Sequence, residues 1–407
     1  MPSANYRSLL RTPGAAAFFL PASLGRVGVA MTGLGIVWLV HSHTGTFAAA
    51  GLVGAGCAVA EALGAPQLAR LVDRFGQTRI LLPALLAHAL AVAILVFLVA
   101  ADACAALLVL GGALVGATLP QLGALSAARW AALLRTDRAA ELPTAFALES
   151  VSNAVGYLLG PTLVSALAAA GHPVAGTVSA ASLSVTGGLV LAAQRGSAPT
   201  PASKDKRHAR KTTDRSLLRG GICVLMGLNL AIGVYFGAIQ VSVTAFVVEH
   251  SAPNAAAVIF AVSNCSGLLT GWLYGMRRWR AEPPVQLIVA TATLLLGTLL
   301  LPMVGSPFGL GAAMILTGAT VPPLLALFSL LTESTVHPTV LTQAFSWLGS
   351  ASAAGSAAAA ALSGRAIDTL GPHVGFTVTT TSAAAMTVLS LAGLRLFRLS
   401  DQFTSKK

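Results

Sequence analysis

The chain has 407 residues, of which 55% are hydrophobic and 9% are charged, whereas soluble proteins carry about 25% charged residues. A soluble fold of this length could not bury so much apolar surface, so the composition excludes a soluble globular protein and indicates a protein surrounded by lipid. The net charge of +12 is compatible with nucleic-acid binding. The basic residues, however, lie between apolar runs, which argues against nucleic acid as a partner.

A membrane-spanning helix needs about 20 apolar residues. Runs of this length predict an all-α polytopic membrane protein with twelve transmembrane helices in two six-helix bundles. The predicted spans are residues 15–40, 47–71, 80–100, 104–126, 143–169, 174–193, 220–248, 255–275, 285–304, 310–331, 341–364 and 374–394.

One polar segment divides the chain, and it carries eight of the 25 Lys and Arg residues. Its Ser, Pro, Lys and Arg content is typical of a solvated tether. We therefore predict a first bundle at 1–193, a basic cytoplasmic linker at 194–219, a second bundle at 220–396 and a cytoplasmic tail at 397–407.

The basic residues are concentrated on one side of the membrane in the predicted topology. With the N-terminus inside, 23 of the 25 Lys and Arg fall in inner segments. This is the positive-inside bias, which reports orientation in a bilayer. It predicts a multi-pass protein of the cell (inner or plasma) membrane with both termini in the cytoplasm.

The two halves show a weak internal repeat. A shift of 199 residues aligns 142–163 with 341–362 at six identical positions, including Gly156 with Gly355. This equates the fifth predicted span with the eleventh, as a duplicated six-helix unit requires. Transporters built from such repeats hold their substrate near the midplane, between the halves.

The short loop after the second span places an acid, a base and a turn glycine between two antiparallel helices. Asp73 can accept hydrogen bonds from the backbone amides that begin a facing helix, where the helix dipole favours an anion. Arg74 and Arg79 can pair across the bundle interface, and Gly76 permits the tight turn. These four residues predict a conformational latch between the halves. The alternative is an ordinary basic inner loop.

This loop resembles the motif that the major facilitator superfamily carries between its second and third spans. The resemblance implies the major facilitator fold. The match is partial, because Ala69 stands where the family usually has glycine and Gln77 and Thr78 replace a basic pair.

A second motif lies in the fifth span. Gly156, Gly160 and Pro161 form a G-x-x-x-G-P sequence in which the small residues permit close helix packing and the proline favours a bend. The sequence resembles the motif of bacterial drug–proton antiporters of the superfamily, which implies export. Generic helix packing explains it equally well.

Ionisable residues inside spans each cost a few kcal/mol unless they are paired or hydrated. Arg26, Glu61 and Glu149 lie inside the first, second and fifth spans and are the proton-coupling candidates. The alternative is a permanently paired cluster that holds these three spans together. The arginine that proton antiporters of the family commonly carry in the fourth span is absent. His88, in the third span, is interpreted as a packed residue.

Neutral polar and aromatic residues inside spans provide candidates for the wall of a substrate cavity, although helix packing in lipid also uses such residues. They are Asn153, Tyr157, Asn229, Tyr235, Gln240, Asn264, Gln343 and Trp347.

The predicted function is secondary active transport, with proton-coupled export of small hydrophobic or amphipathic compounds by alternating access. Its partners are the substrate, protons and the lipid bilayer, and the predicted state is a monomer. One alternative is uptake or export of a specific polar metabolite by the same fold. A membrane-embedded enzyme or an ATP-driven permease is less compatible, because the sequence has no HExxH, GxSxG or GxxxxGK[ST] motif. No catalytic residue, cofactor or metal is predicted.

Overall fold

The computed structural model describes residues 6–45, 47–135, 138–199, 220–252, 255–370 and 372–404. These ranges form α-helices with short 3-10 turns and contain no strand. Most of the predicted linker, residues 200–219, and the end of the predicted tail, residues 405–407, lie outside them.

The helices follow the predicted spans in order. They are α1 (Tyr6–Leu10), α2 (Ala15–Thr44), α3 (Phe47–Phe75), α4 (Gln77–Ala100), α5 (Ala105–Thr118), α6 (Leu122–Leu134), α7 (Leu142–Ala169), α8 (Pro173–Ala193), α9 (Gly220–Glu249), α10 (Ala255–Met276), α11 (Pro283–Leu300), α12 (Pro307–Thr335), α13 (Leu341–Leu370) and α14 (Pro372–Thr404).

Eleven segments of the described residues are long and apolar enough to cross a membrane, with α5 and α6 counted together as one. Helix α13, 30 residues long, packs among them as the remaining predicted span. Large apolar side chains such as Leu63, Phe97 and Val388 are exposed along the helices, as expected where the helices face lipid rather than water.

Two differences from the predicted spans have physical causes. The fourth span is broken between α5 and α6, because Pro120 has no backbone N–H to continue the helical ladder. Helix α14 continues to Thr404 and so enters the segment predicted as a tail.

Helix pairing repeats between the halves. In the first bundle α2 packs against α7 and α8, and α3 packs against α5. In the second bundle α9 packs correspondingly against α13 and α14, and α10 packs against α12. Between the bundles, α3 packs against α13 and α7 packs against α10. These two contacts are equivalent, because α3 corresponds to α10 and α7 corresponds to α13. Helix α7 also packs against α12. The chain is therefore a polytopic helical protein of two six-helix bundles.

The two aligned glycines occupy equivalent places in this arrangement. Gly156 lies against the backbone of α2 at Arg26, and a Cβ at Gly355 would overlap the carbonyl oxygen of Leu230 on α9. Gly160 approaches α2 as well, since a Cβ there would lie 2.9 Å from the Cβ of Ala30. The G-x-x-x-G sequence thus brings α7 close to α2.

We call the end of the molecule that carries the α3–α4, α6–α7 and α10–α11 loops, with their arginines, the basic end, and the other end the opposite end. The first described residues also lie at the basic end, where the Tyr6 hydroxyl donates to the Trp272 carbonyl at 2.9 Å. Burial there raises the pKa of the Tyr6 phenol above its ordinary value, so the group stays a neutral donor.

Candidate transport site

Glu61 lies in the middle of α3, about 21 Å from either helix end at 1.5 Å per residue. Its side chain is half-buried and hydrogen-bonds to the side-chain amide of Gln121. Glu61 forms no ion pair with any residue in the described ranges. The structure thus places a carboxyl group without a cationic partner near the midplane.

The break in the fourth span lies beside this carboxyl group. Helix α5 ends at Thr118 and α6 begins at Leu122. The Leu122 amide donates to the Pro120 carbonyl at 2.9 Å instead of to Thr118, and Pro120 has no N–H to donate. The backbone therefore presents polar groups at mid-membrane depth, where broken helices of transporters hold substrates or ions.

The break touches α3 directly. A Cβ at Gly64 would lie 3.0 Å from the carbonyl oxygen of Ala117. The backbone at the end of α5 therefore approaches α3 one turn from Glu61. The glycine permits this close approach because it has no side chain. The local sequence of α3 thus explains why the two polar features meet.

Tyr157 completes the mid-depth group from α7. Helical spacing places it, with Asn153, on the side of α7 that also carries Phe146. The Phe146 ring packs against Phe345 of the second bundle with centroids 6.2 Å apart. Tyr157 lies eleven residues nearer the opposite end, is 62% exposed, and is close enough to Glu61 to interact electrostatically.

The two bundles are therefore in contact at Phe146, whereas Tyr157, further toward the opposite end, is largely exposed. Asn153, which is half-buried, lies one turn from Tyr157 on the side of the basic end.

Arg26 and Glu149 form a separate, buried cluster nearer the basic end. Their side chains make an ion pair, Arg26 Nη1 also donates to the Glu149 carbonyl at 3.2 Å, and Ser126 Oγ donates to Glu149 Oε1 at 2.5 Å. Both side chains are almost fully buried. The Arg26 Nε atom has no hydrogen-bond partner among the described residues.

This geometry differs from the alternative of one permanently paired cluster across the first, second and fifth spans. The pair ties the first, fourth and fifth spans through Ser126, whereas Glu61 of the second span stands apart from it. A buried carboxylate that is already paired with a guanidinium is poorly placed to bind and release protons freely. Glu61 therefore remains the better candidate for proton coupling.

Asp73 meets the second bundle at the basic end. Its Oδ2 accepts a hydrogen bond from the Gln343 backbone N–H at 2.8 Å, and it also hydrogen-bonds to Thr342. These residues form the first turn of α13, where the positive end of the helix dipole favours a carboxylate. Gly76 has φ of 95° and makes the turn from α3 into α4.

The arginines of this loop do not lie as expected. The Arg74 guanidinium lies over the ring of its neighbour Phe75, 4.9 Å from the centroid, and Arg79 makes no ion pair within the described ranges. Among the described residues, the ion pair between the bundles is instead Arg135–Glu333, at 2.8 Å, which the sequence analysis did not identify. Asp73 and this pair thus connect the two bundles at the basic end.

The departures of the loop from its family motif have a local cause. Gln77 is buried, and its Oε1 accepts a hydrogen bond from Nε of the fully buried Arg129 at 2.7 Å. Arg129 also donates to the carbonyls of Leu191 and Gln194, which end α8. A cation at position 77 would face this arginine, whereas glutamine supplies the acceptor that it needs. Arg129 itself lies on α6, which runs from Leu122 to Leu134.

The second-bundle candidates divide into three groups. Asn229 and Tyr235 are buried in helix packing, and Asn229 donates to the Leu225 carbonyl of its own helix at 2.9 Å. Their place in a substrate cavity stays a prediction. Gln343 lies at the basic end with Asp73, away from the midplane. The remaining three are at least partly exposed, and they are Gln240, Asn264 and Trp347.

A repeat that the sequence analysis missed points to the same region. The segment from Gly116 reads GATLPQLGAL, and the segment from Gly318 reads GATVPPLLAL, with seven identities in ten positions. Gly116 packs against Cys57 on α3, and Gly318 packs against Ser263 on α10. The two segments are thus equivalent in the two bundles, and this signal would have identified Pro120 and Gln121.

His88 is fully buried and contacts Thr118 at the end of α5, with 3.4 Å between the His88 ring nitrogen and the Thr118 hydroxyl oxygen. Within the described residues no cluster of His, Cys, Asp or Glu could hold a metal ion.

Solved structures with similar folds are transporters. The human organic anion transporter MFSD10 (TETRAN) is 16% identical, with a TM-score of 0.69 over 96% of this chain and 100% of that one. The proton:xylose symporter XylE is 12% identical, with a TM-score of 0.73 over 95% and 96% of the two chains. A bacterial homologue of the iron transporter ferroportin, in an outward-facing state, is 13% identical, with a TM-score of 0.69 over 96% and 99%.

A comparison with curated protein sequences finds no match. The sequence model of the Major Facilitator Superfamily, however, matches residues 18–359, which is most of the chain and both bundles. With the fold and the helix pairing described above, this match shows that the chain belongs to the Major Facilitator Superfamily of membrane transporters.

Proposed function

We propose that the protein is a secondary transporter that exports small hydrophobic or amphipathic compounds in exchange for protons, with Glu61 as the coupling residue. The observation that carries the proposal is the midplane carboxyl group of Glu61, which lacks a cationic partner in the described residues and lies close enough to Tyr157 of α7 to interact with it electrostatically. Such a group can be neutral or charged, depending on which side the cavity faces.

Alternating access requires an end that closes. We infer that the contacts of Asp73 with α13 and of Arg135 with Glu333 close the basic end, and that the exposed Tyr157 is reached from the other side. We assign the basic end to the cytoplasm of the cell membrane, because Lys and Arg concentrate on the cytoplasmic side. The described conformation would then be open to the outside, and a single chain with both bundles would act as a monomer.

The direction of transport rests on the motif of the fifth span. Gly156, Gly160 and Pro161 lie where α7 packs against α2, and drug–proton antiporters of the superfamily carry a similar motif at this place. The exposed ring of Tyr157 itself suits a compound with a large apolar surface. We therefore favour export over uptake of a polar metabolite.

Reconstituted vesicles test the proposal directly. The purified protein is placed in proteoliposomes with an imposed proton gradient, and the fluorescence of an accumulating amphipathic dye is followed. We expect gradient-dependent dye movement that an uncoupler abolishes and ATP does not restore. We expect Glu61→Gln to abolish the gradient-dependent part, because glutamine cannot exchange a proton.

Glu249→Gln is the matched control, since Glu249 is an exposed acid at the opposite end of α9. It should transport like the parent protein. Full gradient-dependent transport by Glu61→Gln would refute the coupling role of Glu61. Dye movement that ignores the gradient but requires ATP would refute secondary transport itself.

A further inference from the structure

A short segment before the first span reaches the second bundle. We call residues 6–14, which comprise α1 and the turn that follows it, the N-terminal strap. Helix α1 has only five residues, and a helix this short is not stable in water by itself, so packing against the protein must hold it in place. Gly14 has φ of 84°, in the left-handed region that favours glycine, and makes the turn into α2. The strap is therefore set off from α2 and does not continue it as one helix.

One part of the strap is fixed to the first bundle. The side chain of Leu9 is fully buried, and α1 packs against α7 and α2. The guanidinium of Arg138, in the turn before α7, donates from Nη1 to the hydroxyl of Thr12. Arg138 is itself held by Glu141, which accepts a hydrogen bond from Nε of Arg138 at 2.8 Å. We therefore expect the strap to move with the first bundle.

The beginning of the strap lies on the second bundle. The Tyr6 hydroxyl donates to the Trp272 carbonyl at 2.9 Å, and the Gly271 carbonyl oxygen lies 3.3 Å away. Both carbonyls belong to the last two turns of α10. A Cβ at Gly275 would overlap the Tyr6 hydroxyl oxygen and would lie 2.7 Å from the Cβ of Ala147 on α7. Tyr6 therefore lies where α7 and α10 bring the two bundles together.

This contact lies where the second half of the chain lacks an acid. The contacts α3–α13 and α7–α10 are equivalent, and in the first of them Asp73 binds the first turn of α13. Residues 255–281, which comprise α10 and the start of the loop after it, contain no Asp or Glu. No carboxylate of this segment can therefore bind the first turn of α7 in the same way. The Tyr6 hydroxyl instead joins α10 to the first bundle.

Opening of the basic end would break this contact. Helices α7 and α10 belong to different bundles, so they move apart when this end opens. Because Leu9 and Thr12 stay with the first bundle, Tyr6 then loses its hydrogen bond to α10. The Tyr6 contact therefore lowers the free energy of the closed end relative to the open one.

We propose that the N-terminal strap is a conformational device that holds the basic end closed, with Tyr6 as its contact to the second bundle and Leu9 and Thr12 as its anchors on the first. The strap does at α7 and α10 what Asp73 does at α3 and α13. The inference goes beyond the proposed function, because it requires alternating access but neither a particular substrate nor coupling to protons.

The reaction rate of a buried thiol tests the strap. Ala147 is fully buried on α7 at the basic end. Ala147→Cys, in a background without native cysteines, therefore provides a thiol that a maleimide reaches only after the bundles separate. The rate is measured on the purified full-length protein in detergent, where it is proportional to maleimide concentration and so follows the population of the open form.

Two conservative variants release the strap at its two sides. Tyr6→Phe removes only the hydroxyl, and we expect the rate to rise about two- to tenfold, which is the range that one hydrogen bond contributes. Thr12→Val removes the acceptor of Arg138 and should also raise the rate. Because the strap acts only when both sides hold, the double variant should raise the rate by less than the product of the two separate effects.

Tyr274→Phe is the matched control. The Tyr274 hydroxyl donates to Gln286 at 2.7 Å, within the second bundle and at the same end of α10. Its removal should leave the rate unchanged. An equal rise in Tyr274→Phe and Tyr6→Phe would overturn the strap, since it would show a general loosening of α10.

Parent-like rates in both Tyr6→Phe and Thr12→Val would also overturn the strap. If Ala147→Cys fails to fold, the distance between spin labels at positions 79 and 278, which are exposed on the two bundles at this end, replaces the thiol as the readout. Gradient-driven dye transport by the parent protein tests the proposed function separately, because that transport does not require the strap.

Discussion

The buried charged residues show how much of the candidate site can be predicted from the sequence. Arg26, Glu61 and Glu149 stand out in the sequence because ionisable residues are rare in membrane spans. The sequence could not show that Arg26 pairs with Glu149 and leaves Glu61 alone, because this depends on which face of each helix meets its neighbour. Ser126 and Gln121 were missed for the same reason, since neutral polar residues are common in such helices.

The Arg26–Glu149 pair should contribute to stability rather than to transport coupling. Replacing either partner alone with leucine leaves an unpaired buried charge, so we expect each single variant to lose about 3–5 kcal/mol in unfolding free energy. The double variant should lose less than the sum of the two. Chemical denaturation in detergent, arranged as a double-mutant cycle, measures the coupling. Additive losses would show that the two side chains do not depend on each other.

At the scale of the helices, the sequence predicted the elements well and their irregularities poorly. Apolar runs identify spanning helices because lipid requires every backbone polar group to be satisfied within a helix. The sequence predicts a continuous fourth span through Pro120, and prolines inside α3, α4, α7 and α12 indeed do not end those helices. Pro120, in contrast, separates α5 from α6. Whether a proline breaks a helix depends on whether neighbouring helices hold the chain straight, which a single sequence does not reveal.

Close helix packing can be tested on α13 at two of its glycines, which have different surroundings. A Cβ at Gly355 would overlap the Leu230 carbonyl of α9, whereas a Cβ at Gly349 meets nothing within 4 Å. We expect Gly355→Ala to lower the unfolding temperature by several degrees. Gly349→Ala should leave it unchanged or raise it slightly, because alanine favours a helix over glycine by up to about 1 kcal/mol. Equal effects of the two substitutions would contradict the close approach of α9 and α13.

For the molecule as a whole, the basic end should open when its cross-bundle contacts are removed. Asp73→Ala removes the acceptor at the first turn of α13, and Glu333→Gln removes the partner of Arg135. We expect either change to lengthen the distance between spin labels at positions 79 and 278, which are exposed on the two bundles at this end. Double electron–electron resonance, in a background without native cysteines, measures that distance.

Asp102→Ala is the control for this experiment, because Asp102 pairs with His43 at the opposite end, at 2.6 Å. It should leave the distance at the basic end unchanged. An unaltered distance distribution in both Asp73→Ala and Glu333→Gln would show that these contacts do not hold the bundles together.

The closed basic end has a consequence for how strongly ligands act from the two sides. A compound arriving from the cytoplasm meets a barrier that must first rearrange, so its apparent dissociation constant is raised by the rarity of the inward-open population. A blocker applied from outside pays no such penalty, since its entrance already exists. Inhibitors of identical intrinsic strength should therefore differ in potency according to the face on which they are presented, and weakening the Asp73 contact should narrow that gap.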